Sequence, residues 1–193
     1  MMARAGLTAE RVVAAAADLA DTAGFENITI AALARGFGVK DASLYAHVRS
    51  LSDLHTRVAI RSGLDLSERI ADALAGRAGR DALLAFAHAY RGFALAHPGR
   101  YAATQLELDP SVLDEHPGLR RNLTCTYALL QGYGLAEPDL TDAGRVLRST
   151  FHGFVTLELA GGFRHSRDVE ATWAQGLEAL HVMLGNWPRG DRR

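Results

Sequence analysis

Ala31-Ala32-Leu33-Ala34-Arg35-Gly36-Phe37-Gly38-Val39-Lys40-Asp41-Ala42-Ser43-Leu44-Tyr45-Ala46-His47-Val48-Arg49-Ser50-Leu51 is the stretch whose reading decides the fold. A short helix from about Ile30 to Phe37 stops at Gly38, a residue free to take the left-handed turn that redirects a chain in one step. A second short helix covers about Asp41 to His47, and Ser50 stands where it can cap a long one. With one helix before them, two short helices about a tight glycine turn satisfy the helix-turn-helix layout. Ala34 is small where the two helices must touch, and Val39 and Leu44 are expected to plug the core beneath the second. Lys40, Asp41, Ala42, Ser43, Tyr45, Ala46 and His47 are left to face outwards. Small side chains beside a Tyr and a His suit a surface that must approach a groove closely.

Outward from this stretch the pattern stays helical. Val12, Ala16, Leu19 and Ala23 recur at i, i+4, i+7 and i+11, one apolar face of a first helix opened by Thr8 and closed by Gly24. Leu51, Leu54 and Val58 give the long fourth helix its buried side, and Gly76 and Gly79 bracket the first break. Phe86, Tyr90, Phe93 and His97 keep helical spacing until His97-Pro98-Gly99, and another helix begins near Pro98 to Tyr101. Pro110 and Pro117 punctuate the approach to a helix ending around Gly132-Tyr133-Gly134. A long helix follows from Pro138 and Thr141 to Gly161-Gly162, and a last one from near Asp168 to just before Pro188. No segment alternates with a strand's period. The expectation is an all-α chain of about nine helices. A three-helix helix-turn-helix domain occupies 1–50, and a C-terminal helical bundle occupies 51–193.

Composition narrows the classes. Hydrophobic residues make up 48% and charged residues 22% of 193, the balance of a globular protein. The longest apolar run, Val12 to Ala17, is far below the roughly 18 residues a membrane span needs. Glu10, Asp18 and Asp21 interrupt the alanine-rich N-terminal stretch, so it does not read as a signal peptide, and the cytoplasm is the expected address. Cys125 is the sole cysteine, which excludes an intrachain disulfide. Net charge is −1, and residues 1–55 carry five basic side chains (Arg4, Arg11, Arg35, Lys40, Arg49) against six acidic ones. The basic footprint usual for nucleic-acid binding is missing, so a DNA role rests on the motif's geometry.

The stretch from Ala31 to Leu51 resembles the signature of the tetracycline-repressor (TetR) family. There a leucine-alanine helix leads through Gly-Val into a Leu-Tyr-x-His run on the recognition helix. Leu7-Thr8-Ala9-Glu10-Arg11-Val12 and Gly24-Phe25-Glu26-Asn27-Ile28-Thr29 also sit where that family keeps its first helix and the turn after it. The resemblance covers roughly residues 6–54. It implies a homodimer on double-stranded DNA with a pseudo-palindromic operator, acting as a repressor that a small-molecule effector releases. It further implies that Tyr45, Thr29 and Thr8 touch phosphates, that His47 lies at the backbone, and that Lys40, Asp41, Ala42 and Ser43 approach base edges. Two positions depart from the family pattern. Lys40 stands where Ser or Thr commonly caps the recognition helix, and Leu51 where a basic residue often begins the fourth. Elsewhere the only lysine of a chain would read as a solvated charge; on this helix it is a candidate base reader.

Candidate sites in the second region come from its own periodicity. The aromatic residues Phe86, Tyr90, Phe93, Tyr101, Tyr127 and Phe151 are candidate linings of an apolar effector pocket, against the alternative that they are plain core. Trp173, Leu177, Leu180, Leu184 and Trp187 recur along the last helix, and Val146, Thr150, Gly153, Leu157 and Ala160 along the one before, with Leu147, Phe151 and Phe154 on its second face. Two wide apolar faces need cover. Phe154, Leu157, Trp173, Leu177, Leu180 and Leu184 are the expected dimer interface, and His152-Gly153 resembles a pair kept on this helix in one TetR subgroup. Glu178-Ala179-Leu180-His181 has the Glu-x-x-His spacing of a bundle metal site but lacks the second copy such sites use, so no metal, cofactor or catalytic residue is expected. Rival readings are a helical-bundle enzyme and a protein-interaction module that keeps the helix-turn-helix without DNA.

Overall fold

The computed structural model describes residues 6–188, which hold ten α-helices and no strand. They are α1 (Ala9–Ala23), α2 (Ile30–Phe37), α3 (Asp41–Leu44), α4 (Leu51–Leu74), α5 (Gly79–Ala96), α6 (Pro98–Ala103), α7 (Pro110–Glu115), α8 (Arg121–Gln131), α9 (Asp139–Leu159) and α10 (Val169–Gly185). Single 3₁₀ turns lie at Phe25–Asn27 and Pro117–Arg120. The expected count of nine falls short by α7. Pro110, read as a breaker, instead occupies the first turn of a helix, where its missing N–H costs nothing, and Asp109 caps it by accepting from Ser111 N–H at 2.9 Å.

Helix limits follow local chemistry. Thr8 and Thr29 cap α1 and α2, accepting from Arg11 N–H at 3.2 Å and Ala32 N–H at 3.1 Å. Gly38 takes φ 66°, and its N–H reaches Arg35 O at 3.2 Å while Val39 N–H reaches Ala34 O at 3.0 Å. That is a Schellman ending, which satisfies two carbonyls and turns the chain sharply.

The chain divides into two compact units. Unit 1 takes the described residues up to Asp65 together with Ala96–Leu119; unit 2 takes Leu66–Leu95 and the described residues from Arg120 onward. The core of unit 1 is Val12, Ala16, Ala17, Ala20, Ile28, Leu33, Ala34, Leu44, Val48, Leu54, Val58 and Ala103, all buried. α6 lies directly on α1. A methyl group on Gly99 would stand 1.9 Å from the Ala20 carbonyl oxygen, so only glycine permits this approach. Asp21 fixes it, accepting from Arg100 N–H at 2.8 Å and facing His97 Nδ1 at 2.9 Å, while Asp18 pairs with the Arg100 guanidinium.

Rings and ion pairs hold unit 2. Phe151 packs against Phe86, Tyr90 and Trp173 with centroids 5.9, 5.9 and 5.7 Å away, and Phe154 meets Trp173 at 4.7 Å. Arg91 of α5, nearly enclosed, forks onto Glu158 of α9 at 2.7 and 2.8 Å and reaches Glu170 of α10 at 2.6 Å. Its plane lies over the Trp173 ring at 5.4 Å, and the Glu158 hydrogen bond, against the opposing effect of burial, drives its pKa further up.

Candidate nucleic-acid interface

The functional surface begins with what holds α3. Leu44 is fully buried, pinning the recognition segment to α1 and α2. Val39, expected beside it as a second plug, is 37% exposed. The Schellman turn at Gly38 throws the next residue outwards, and Val48 takes the place beneath α3. Regular helix ends at Leu44 rather than His47, although the turn continues with His47 N–H on Leu44 O at 2.8 Å and Val48 N–H on the same oxygen at 3.1 Å.

Lys40, Asp41, Ala42 and Ser43 are all exposed, Tyr45 is 54% exposed, and His47 is half-buried. Thr8 and Thr29 are exposed as well, and their Oγ atoms are engaged as acceptors by the caps. Each hydroxyl proton is therefore free to be donated outwards. The sequence reading assigned nothing to the arginines here. Arg35 is exposed in the last turn of α2, and the Arg49 side chain is 87% exposed immediately before α4. Their signal was only their charge, which local acids cancelled in the tally.

Asp53 organises the join between this segment and α4. Ser50 Oγ accepts from Asp53 N–H at 3.0 Å, and Asp53 Oδ2 accepts from Arg49 N–H at 2.9 Å, a reciprocal cap. Arg57 Nε donates to Asp53 Oδ1 at 3.2 Å. Burial would raise the Asp53 carboxyl, but the Arg49 N–H and the Arg57 guanidinium outweigh it and hold it below its ordinary value.

Among the other predicted residues, Phe86, Tyr90 and Phe151 come together in the ring cluster of unit 2. Phe93 is buried with the Arg69 guanidinium 5.5 Å above its ring, and Tyr127 lies beside Gly144. Tyr101 is buried in unit 1 instead. Trp173, Leu177 and Leu184 are buried within the chain itself; Phe154 and Leu180 are half-buried and Leu157 is 51% exposed. Glu178 forks onto Arg80, and His181 Nδ1 lies 2.9 Å from the Tyr133 hydroxyl, so both ends of the Glu-x-x-His spacing are engaged by side chains of unit 2. No helix among the described residues is long and apolar enough to cross a membrane.

A short helix, set on a glycine turn and carrying an exposed row of polar and small side chains, is the reading head of a helix-turn-helix regulator. Comparison with known proteins agrees. Residues 83–180 match the tetracyclin repressor-like C-terminal domain. The HTH-type transcriptional regulator YobS of Bacillus subtilis is 33% identical over 88% of this chain and 88% of its own length. The HTH-type transcriptional regulator Rv0681 of Mycobacterium tuberculosis is 39% identical over 81% of this chain and 72% of its own. A protein from Rhodococcus sp. RHA1 shares the fold at a TM-score of 0.78, with 23% identity over 96% of this chain and 100% of that one. The chain belongs to the tetracycline-repressor family and is a DNA-binding transcriptional regulator.

Proposed function

We propose that the chain acts in the cytoplasm as a homodimeric repressor, bound to a pseudo-palindromic operator and released by an apolar or aromatic small molecule, with no catalytic role. The observation that carries the DNA half is the exposed row Lys40, Asp41, Ala42, Ser43 and Tyr45, which runs from just before α3 to just after it, with Thr8 and Thr29 at two helix starts. Lys40, Asp41, Ala42 and Ser43 meet base edges, where Asp41 suits a cytosine amino group. Thr8, Thr29, Tyr45 and His47 hold phosphates, joined by Arg49 and the free N–H groups at the start of α4.

The dimer forms through the outer faces of α9 and α10. Leu157 at 51% and Val182 at 60% exposure, together with Val146, leave apolar surface that a second copy would cover. Phe154 and Leu180 reach its edge, while Trp173, Leu177 and Leu184 form the floor beneath it. Residues 1–50 read the DNA and 51–193 dimerise and sense. The effector occupies the aromatic region of Phe86, Tyr90, Phe93, Tyr127 and Phe151 in unit 2, and Tyr101 belongs to unit 1. α4 runs unbroken from Leu51 to Leu74 and belongs to both units, so it is the element through which occupancy reaches the DNA-reading end.

Selection of fragments from a random duplex library by the full chain tests this. The expected product is two half-sites related by a two-fold axis. Tyr45→Ala weakens every selected sequence alike, because a phosphate contact positions without specifying. Lys40→Ala relaxes the preference at one or two positions per half-site by about 1–3 kcal/mol. Selection without an enriched palindrome, or an unchanged preference in Lys40→Ala, overturns the corresponding assignment.

A further inference from the structure

Along α4, Arg57, Ile60, Arg61, Leu64 and Asp65 fall at i, i+3, i+4, i+7 and i+8, one continuous stripe. With His116 they line an open groove of about 560 Å³ lying wholly within unit 1. That volume falls in the range of small-molecule sites. Its walls meet tightly at two glycines. A methyl group on Gly63 would stand 2.7 Å from Leu119, and one on Gly118 would stand 2.7 Å from Leu64. The 3₁₀ turn at Pro117–Arg120 thus lies against α4 beside the groove.

The lining is chemically divided. Ile60 and Leu64 are apolar and half-buried, while Arg61 is exposed and makes no ion pair among the described residues. Arg57 is already committed to Asp53. One free guanidinium beside an apolar strip recognises an anionic head on an apolar body. Asp65, at the far end of the stripe, disfavours a second negative charge. We propose that this groove binds a small monocarboxylate with an apolar tail, its head on Arg61 and its tail along Ile60 and Leu64.

Every lining residue belongs to unit 1, and none is a member of the ring cluster described in unit 2. Arg57 stays on Asp53, which also accepts from Arg49 N–H, so Arg61 is the guanidinium of the stripe left for a ligand.

Calorimetric titration of the full chain without DNA isolates binding from any regulatory outcome, using decanoate, decanol and decyl phosphate as probes. Decanoate should bind saturably at one per chain, and Arg61→Gln should weaken it about tenfold or more, the value of a charge-assisted contact. Arg61 is exposed and unpaired, so this variant should melt as the parent does, which a thermal scan verifies. Decanoate affinity unchanged in Arg61→Gln would place the fatty acid elsewhere and overturn the proposal. Decanol or decyl phosphate binding as tightly as decanoate would overturn the monocarboxylate assignment.

Discussion

The cores of the two units use opposite materials. Around Leu44 and Val48, unit 1 sets Val12, Ala16, Ala17, Ala20 and Ala34, side chains so short that helix backbones nearly touch, as at Gly99. Unit 2 instead stacks Phe86, Tyr90, Phe151, Trp173 and Phe154, ring against ring, with centroids 4.7 to 6.4 Å apart. Polar fastening differs in the same way. Unit 1 locks one helix to another through Asp18 and Asp21 on Arg100 and His97. Unit 2 gathers three helices on the single guanidinium of Arg91. Small residues offer few alternative rotamers and fix helix spacing, which a reading head must keep when it meets a groove. Large rings fill volume that a ligand of similar shape can share or displace.

The largest effect should come from emptying the ring cluster. Phe151 is fully buried among Phe86, Tyr90 and Trp173. Phe151→Ala removes a whole ring from that packing and should cost about 3–5 kcal/mol, measured by denaturant unfolding. A loss below about 1 kcal/mol would mean that the neighbouring rings close the gap, and the contrast between a rigid and a yielding core would sharpen.

Gly99→Ala probes the other material. The added methyl group meets the Ala20 carbonyl oxygen and the Asp21 N–H, both backbone atoms that no rotamer change can move. α6 must lift from α1, and the Asp21 contacts to Arg100 and His97 go with it. The expected loss is about 1–3 kcal/mol, with the thermal midpoint lowered by several degrees. A variant that melts with the parent would show that α1 and α6 are not held at their present spacing, and the contrast with unit 2 would fail.

These two variants also mark what the sequence discloses. Thr8, Thr29, Gly24, Gly38 and Asp168 announce helix limits because capping depends on residues four or fewer positions away. The buried or outward side of α3 was readable for Leu44, Tyr45 and the row from Lys40 to Ser43 for the same reason. Val39 was not, since its side is set by the turn's geometry and not by hydrophobicity. Gly99 looks like a helix stop in the sequence; its use as a contact depends on a partner 79 positions away, as does the Asp21 bond to Arg100 N–H. The Arg91 cluster joins residues 67 and 79 positions apart and leaves no periodic trace. Aromatic spacing along α5 puts Phe86 and Tyr90 on one face, where their rings stack, but it carries no information on Tyr101, which folds into unit 1.

The smallest expected effect concerns Asp53, and its sign follows from protonation. The carboxyl sits below its ordinary value of 3.8 in the folded chain, because Arg49 N–H and Arg57 favour the charged form more than burial opposes it. In the unfolded chain those partners are gone, so the unfolded state takes up a proton first as pH falls. The stabilising contribution is therefore complete above the unfolded value and drains away as pH drops through the lower, folded one. Asp53→Asn keeps an oxygen for Arg49 N–H but removes the charge that Arg57 and the helix start both favour. It should cost about 1 kcal/mol at neutral pH, the scale of a first-turn cap. The gap between parent and variant should stay constant from about pH 7 to 5 and close below about pH 4. A gap that persists undiminished in acid would mean that the oxygen's hydrogen bond, and not the charge, is what Asp53 contributes. A gap that widens in acid would reverse the sign and remove Asp53 from the join between α3 and α4.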